Sequence, residues 1–139
     1  MTVLVPSKLQ SEHLDDLVGI PFLRGGRTGK GLDCYGIVLA VSTILDLPLP
    51  DVWDSAEDAY DADRNKTDFN RFVPEEWYRV DGVPTNPDTG DLLLIPGHVS
   101  IYAFGYVYSS AEATNAVRHK WRPFFRLWRG QIDVWRHRK

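Results

Sequence analysis

Two stretches of the sequence decide the predicted fold: GLDCYGIVLAVSTIL at residues 31–45 and GDLLLIPGHVSIYAF at residues 90–104. In the first stretch, apolar residues recur at helical spacing from Cys34 onward, which predicts a helix that ends before Pro48. In the second stretch, two short apolar runs flank a Pro-Gly pair, which predicts two strands joined by a turn. The chain therefore changes from helical to strand periodicity along its length.

The regions outside these stretches extend the same order. Residues 7–18 are predicted to form a first helix, and residues 51–88 a long acidic connection with one or two short helices. Further strands are predicted at 106–109, 113–118 and 131–136, with a short helix at 123–129. Helices followed by an antiparallel sheet indicate an α+β fold.

Composition limits the classes to which the protein can belong. The chain has 139 residues, of which 43% are apolar and 25% charged, so we expect one globular domain over residues 1–139. A single cysteine excludes an intramolecular disulfide framework and a zinc site built from several cysteines. Apolar runs are too short for a membrane span, and the N-terminus lacks the features of a signal peptide. We therefore expect no membrane span.

Charge is distributed unevenly along the chain. The net charge is −3, but residues 118–139 hold eight of the 16 Lys and Arg residues and only one of the 19 acids. The basic C-terminal end is either a solvated surface or a docking surface for an acidic partner. A mildly acidic chain without a nucleic-acid motif predicts no nucleic-acid partner.

Cys34 and His98 are the candidate reactive residues. Cys34 follows a glycine-rich loop at the predicted start of a helix, where free N–H groups and the helix dipole favour the thiolate. The alternative is a small apolar side chain on the buried face of that helix. His98 opens a predicted strand, and a cysteine with a histidine distant in sequence is the minimum set for thiol catalysis. The other three histidines are predicted to lie on the surface.

These motifs resemble those of the NlpC-type cysteine peptidases, which are papain-like enzymes that cleave the peptide stems of bacterial peptidoglycan. The resemblance covers about residues 14–136. The positions that match the family pattern are Phe22, Gly25-Gly26, Asp33-Cys34-Tyr35-Gly36, Gly90-Asp91 and His98. It implies a papain-like α+β fold, with N-terminal helices packed on a C-terminal antiparallel sheet, and no cofactor.

The resemblance also implies a role for individual residues. Cys34 is the nucleophile and His98 the general base and then acid, while Asp33 binds the free amine of the stem peptide. Phe22 replaces the family tyrosine and Tyr35 the family serine at the substrate site. The family's third polar residue, usually histidine, has no clear equivalent; the candidates are Tyr108, Ser109 and Glu112, of which we select Ser109 as the third catalytic residue.

The C-terminal sequence WRPFFRLWRGQIDVWRHR is similar to the compact version of the family found among bacteriophage tail proteins. The resemblance thus implies a tail-tip component of the virion that acts at the host cell wall, with other tail-tip proteins as partners. Two alternatives remain: a structural tail protein with a degraded active site, and a metal-dependent hydrolase. In the absence of a virion, we expect the protein in the cytoplasm.

Overall fold

A computed structural model describes residues 13–47, 49, 76–95 and 98–138. In this part of the chain, helices accompany a six-stranded antiparallel sheet, which confirms the predicted α+β class. The elements, in chain order, are β1 Arg27–Thr28, β2 Gly31–Leu32, α1 Cys34–Ile44, β3 Trp77–Val80, β4 Leu92–Ile95, β5 His98–Ala103, β6 Tyr106–Ala111, β7 Asn115–Lys120, α2 Trp121–Leu127 and β8 Asp133–His137.

The large sheet has the strand order β3-β8-β4-β5-β6-β7. Strands β4 to β7 follow one another as a meander, and in the β4–β5 hairpin Ile95 lies opposite His98. Strand β8 returns from the end of the chain and inserts between β3 and β4. This insertion places the C-terminal strand in the interior of the sheet, where its backbone pairs on both sides.

The sheet carries a hydrophobic cluster on each face, because successive strand residues point to opposite sides. On one face, Val99 and Ile101 of β5 pack with residues of helix α1, including Ile37 and Val38. We call this the α1 face. On the other, the α2 face, side chains of β4, β6 and β8 pack against Trp121 and Phe124 of α2.

Three regions differ from the sequence expectation. The glycine-rich loop contains the short antiparallel pair β1–β2. Trp77 lies in strand β3, where a connection was predicted, and its side chain is buried. Of the first predicted helix, residues 13–15 are helical and 16–19 form a turn, while residues 7–12 lie outside the described residues.

Among the described residues, no helix is both long enough and apolar enough to cross a membrane.

Candidate active site

Asp33 shapes the loop that precedes α1. It is the N-cap of the helix, with extended backbone, and its Oδ1 accepts a hydrogen bond of 2.7 Å from the backbone N–H of Gly36. The same oxygen accepts a second bond of 2.7 Å from the guanidinium of Arg27, and Oδ2 accepts one of 3.0 Å from the N–H of Gly25. The residue is completely buried. The carboxylate thus holds together the helix start, the glycine loop and the β1–β2 pair.

Close packing explains one glycine of the motif. A Cβ placed on Gly36 would collide with the carbonyl oxygen of Gly26, which is backbone and cannot move aside like a flexible side chain. The first turn of α1 therefore lies directly against the preceding loop. The spacing between the glycine loop and the Asp-Cys-x-Gly motif reflects this contact.

Cys34 is the first residue of α1, and its side chain is completely buried in the α1-face cluster. Backbone N–H groups of Val99 and Tyr35 donate to the thiol and lower its pKa. Desolvation by burial outweighs them and, together with the negative charge of Asp33, raises the pKa to about 12. The expectation that the helix start lowers the pKa of this thiol is therefore wrong: in this structure Cys34 is a neutral thiol at pH 7.

His98 begins β5 and borders a cavity on the α2 face. The cavity has a volume of about 370 Å³ and is also lined by Ser109 and His119. Burial, with a smaller contribution from the charge of His119, lowers the pKa of His98 to about 4. The imidazole is therefore neutral at pH 7, the form that can accept a proton.

The structure brings His98 and Ser109 to one cavity, whereas Cys34 belongs to the cluster on the other face. Both residues nevertheless lie near the start of β5. His98 is the first residue of that strand, and the backbone N–H of Val99, the next residue, donates to the thiol of Cys34. The two side chains lie on opposite faces of the sheet, so their pairing as nucleophile and base stays a prediction.

The remaining candidates for a third polar residue lie apart from this cavity. Tyr108 is buried in the α1-face cluster, and Glu112 is exposed beyond the end of β6. Ser109 is 6% exposed and is the only one of the three candidates that borders the same cavity as His98. The choice of Ser109 over the other two thus agrees with its position, and its catalytic role stays a prediction.

The two predicted substrate-binding aromatics occupy different environments. Tyr35 is completely buried, and the Arg27 guanidinium carbon lies 5.8 Å from the centre of its ring. Phe22 is half-buried, forms a bridge to Leu32, and donates its N–H to Asn115 at 3.0 Å. In this structure Tyr35 fills space inside the protein and does not border an open cleft.

His119 was predicted to lie on the surface, and the structure confirms this: its side chain is exposed, although it also borders the cavity beside His98. Its ring stacks on Phe124 of α2, with centroids 6.5 Å apart and an interplanar angle of 28°. In the register of β6 and β7, His119 lies opposite Val107, a residue of the α2-face cluster. Strand β7 runs to Lys120, two residues beyond the predicted end at 118, so His119 lies within the strand.

Within the described ranges, no three His, Cys, Asp or Glu side chains group in a way that could hold a metal ion. Models of known protein families give no match to this sequence. Curated protein sequences give none either.

Proposed function

We propose that this chain is an NlpC-type cysteine peptidase that hydrolyses peptide bonds in the stem peptides of peptidoglycan. One observation carries the proposal. Cys34 begins a capped helix that packs on an antiparallel sheet, and the backbone N–H of Val99, the residue after His98, donates to its thiol. A cysteine at a helix start beside a strand that opens with histidine is the arrangement needed for thiol catalysis. The papain-like character of the fold is part of the same proposal.

In the proposed reaction, His98 removes the proton of the Cys34 thiol as sulfur attacks the carbonyl carbon of the scissile bond. The resulting oxyanion is stabilised by the backbone N–H of Cys34 at the start of α1. His98 then gives its proton to the departing amine. Water, deprotonated by His98, cleaves the thioester and restores the thiol, so that one peptide bond and one water become an acid and an amine.

The pKa values define what this reaction requires. A thiol whose pKa is about 12 does not ionise at pH 7 by itself, so the proton must pass directly to a base. His98 is neutral at that pH and can accept it. The reaction therefore requires the imidazole to reach the sulfur when substrate is bound.

The proposed role of Asp33 carries a similar requirement. Both of its carboxylate oxygens already accept hydrogen bonds, one of them from the Arg27 guanidinium. A substrate amine can bind there only by replacing this cation, whose side chain is 21% exposed. If the substrate amine replaces Arg27 at Asp33, we expect Asp33→Asn to impair hydrolysis of peptides with a free N-terminus more than hydrolysis of acetylated peptides.

We propose that the enzyme acts as part of a virion, because its C-terminal sequence resembles that of the family members found among bacteriophage tail proteins. A virion protein at the tail tip, docked on other tail-tip proteins, would meet peptidoglycan as the particle crosses the cell wall. The exposed arginines of the C-terminal region, Arg122, Arg126 and Arg129, are available for contacts with acidic partner surfaces.

A second candidate function is a structural tail protein that retains the fold without the activity. It is favoured by the complete burial of Cys34 and by the raised pKa of its thiol. Ser109 at the position of the third polar residue favours it as well, since a hydroxyl orients an imidazole more weakly than a second imidazole or a carboxylate does.

Hydrolysis of purified peptidoglycan separates the two functions. We expect the wild-type protein to release new amino groups, and Cys34→Ala to release none. Thr43→Ala is the matched control, because Thr43 lies on the same helix, is exposed, and donates its hydroxyl only to a backbone carbonyl. Loss of activity in Cys34→Ala alone supports the peptidase, whereas no release by the wild type supports the structural protein.

A further inference from the structure

Two adjoining hollows lie on the surface around the first turn of α2. The first has a volume of about 320 Å³ and the second about 400 Å³, and Trp121 and Arg122 line both. Phe125 and Arg126 belong to the first hollow, and Lys120 belongs to the second. Because the hollows share two residues, they form one continuous surface, which we call the basic groove.

The cations of the basic groove are not neutralised by the part of the chain that the structure describes. Lys120, Arg122 and Arg126 are all exposed, and none of them forms an ion pair with a described residue. Among the described residues, no carboxylate lines either hollow. By contrast, aspartates pair with four other arginines, Arg27, Arg79, Arg118 and Arg136. A chain whose net charge is −3 thus gathers unpaired positive charge in this groove.

The floor of the basic groove is aromatic and is held in place by its neighbours. Trp121 is 6% exposed, and its indole N–H donates a hydrogen bond of 2.8 Å to the carbonyl oxygen of Thr85. The rings of Tyr102 and Phe125 contact the indole, with centroids 6.0 and 5.4 Å away. Since these contacts exist before any partner binds, little conformational entropy is lost at the floor on binding.

We propose that the basic groove docks an acidic segment of a partner protein, whose carboxylates pair with Arg122 and Arg126 while an apolar side chain packs beside Phe125. A guanidinium group binds a carboxylate through two parallel hydrogen bonds, which a fixed pair of arginines can offer to neighbouring acids. Aromatic residues and arginine are also enriched in protein–protein interfaces. The identity of the partner as a tail-tip protein rests on the proposed function, whereas the chemistry of the groove does not.

Single-stranded nucleic acid is also anionic, but the basic groove lacks what it requires. Such binding relies on bases that stack on exposed aromatic faces. The Trp121 ring is almost fully buried, and Tyr102 packs against it edge to face, at an interplanar angle of 86°. The net charge of −3 also opposes the approach of a long polyanion. A short acidic peptide segment is therefore the occupant that the groove fits.

Fluorescence anisotropy of a labelled peptide tests the docking site with the full chain. The probe is a synthetic twelve-residue peptide of Glu, Asp, Gly and Leu, and its matched control carries Gln and Asn in place of the acids. We expect the acidic peptide to bind, and to bind more weakly as NaCl is added, because salt screens exposed charges. The amide peptide should not bind. Equal binding of the two peptides, or no binding of the acidic one at low salt, overturns the proposal.

Charge reversal locates the binding surface. Arg122→Glu/Arg126→Glu should weaken binding of the acidic peptide at least about 10-fold without lowering Tm, because neither side chain loses a described ion-pair partner. The matched control is Lys30→Glu/Arg129→Glu, which changes the net charge equally at two exposed residues outside both hollows and should cost less than about 3-fold. Equal losses would mean that total charge, not the groove, attracts the peptide, and the docking site would be overturned.

Two further arms complete the test. If the Glu double variant does not fold, Arg122→Gln/Arg126→Gln removes the same charges and should also weaken binding. Tighter binding of a twelve-nucleotide oligothymidine than of the acidic peptide would overturn the assignment to a protein partner.

Failure of the docking site and failure of the proposed function are separable, since peptide binding requires no hydrolysis. A chain that binds the acidic peptide but does not cleave peptidoglycan overturns the peptidase and leaves the docking site. A chain that cleaves peptidoglycan but does not bind the peptide overturns the docking site alone.

Discussion

The polar groups on the two faces of the sheet have different surroundings. On the α1 side, two buried polar groups are hydrogen-bonded within the protein: Asp33 accepts three hydrogen bonds, and the Ser110 hydroxyl donates to the Leu32 carbonyl at 2.8 Å. On the α2 face, His98, Ser109 and His119 border an open cavity. Burial also acts in opposite directions on the two reactive candidates, since it raises the pKa of a thiol and lowers that of an imidazole. Cys34 and His98 are therefore a pair of neutral groups at pH 7.

The largest expected effect concerns the buried polar network of the α1 face. Asp33→Ala removes the helix cap and the partner of Arg27, so we expect the free energy of unfolding to fall by about 3 kcal/mol. The matched control is Arg79→Ala, which breaks an ion pair with Asp133 where the Arg79 side chain is 61% exposed. That change should cost less than about 1 kcal/mol. Equal losses in urea unfolding would show that the Asp33 network is no more important than a surface pair.

The next effect tests the close contact between the loop and the first turn of α1. Gly36→Ala should lower the free energy of unfolding by about 2 kcal/mol, although alanine favours helices, because its Cβ would collide with the Gly26 carbonyl. Gly29→Ala provides the comparison, since a Cβ there meets nothing within 4 Å. A Gly36→Ala protein as stable as the wild type would mean that the loop does not lie against the helix as described.

A smaller effect appears at alkaline pH and belongs to Cys34. The folded thiol has a pKa near 12 and the unfolded thiol one of about 9.0, so folding holds the proton more tightly. The associated stability is complete below pH 9 and is lost as the pH rises toward 12; at pH 10 the loss should be about 1.4 kcal/mol. Unfolding curves of wild type and Cys34→Ala should converge by this amount between pH 8 and pH 10. A constant difference between the two proteins would contradict burial of the thiol.

The smallest effect appears on the acid side and belongs to His98. Its folded pKa of about 4 lies below the unfolded value of 6.5, so the unfolded chain binds the proton first as the pH falls. Stability is complete above pH 6.5 and decreases toward pH 4, with an expected loss of about 0.8 kcal/mol at pH 6. His98→Asn should remove this part of the acid sensitivity, as measured by thermal unfolding at pH 6 and pH 8. If His98→Asn and wild type lose stability equally, the imidazole is not buried in the cavity.

Local patterns in the sequence predicted much of the α1 face. The apolar spacing from Cys34 and the aspartate before it predicted the helix and its start, and the Pro-Gly pair predicted the β4–β5 hairpin. Strand β3 could not be predicted in the same way, because Trp77–Val80 follows a long polar segment and is buried only by pairing with β8. Pairing between strands that are distant in sequence leaves little local signal.

The chemistry of the candidate site depended on tertiary structure to a greater degree. The helix-start position of Cys34 was correctly predicted, but the direction of its pKa shift was not, because Val99, Ile101 and other distant residues bury the thiol. The exposed position of His119 was correctly predicted, but its contact with Phe124 was not, because that contact arises only when α2 folds back over the sheet. Sequence periodicity predicts which face of an element is apolar, but it does not predict what covers that face.

The most direct test of a thiol peptidase is the covalent intermediate itself. The protein is incubated with a synthetic stem peptide, quenched in acid, and measured by intact-protein and peptide mass spectrometry. We predict an acyl adduct, attached as a thioester to Cys34, that is absent from Cys34→Ala and reduced in His98→Asn. Cleavage of the peptide without any adduct on Cys34, or no cleavage and no adduct in the wild-type protein, would contradict the proposed mechanism.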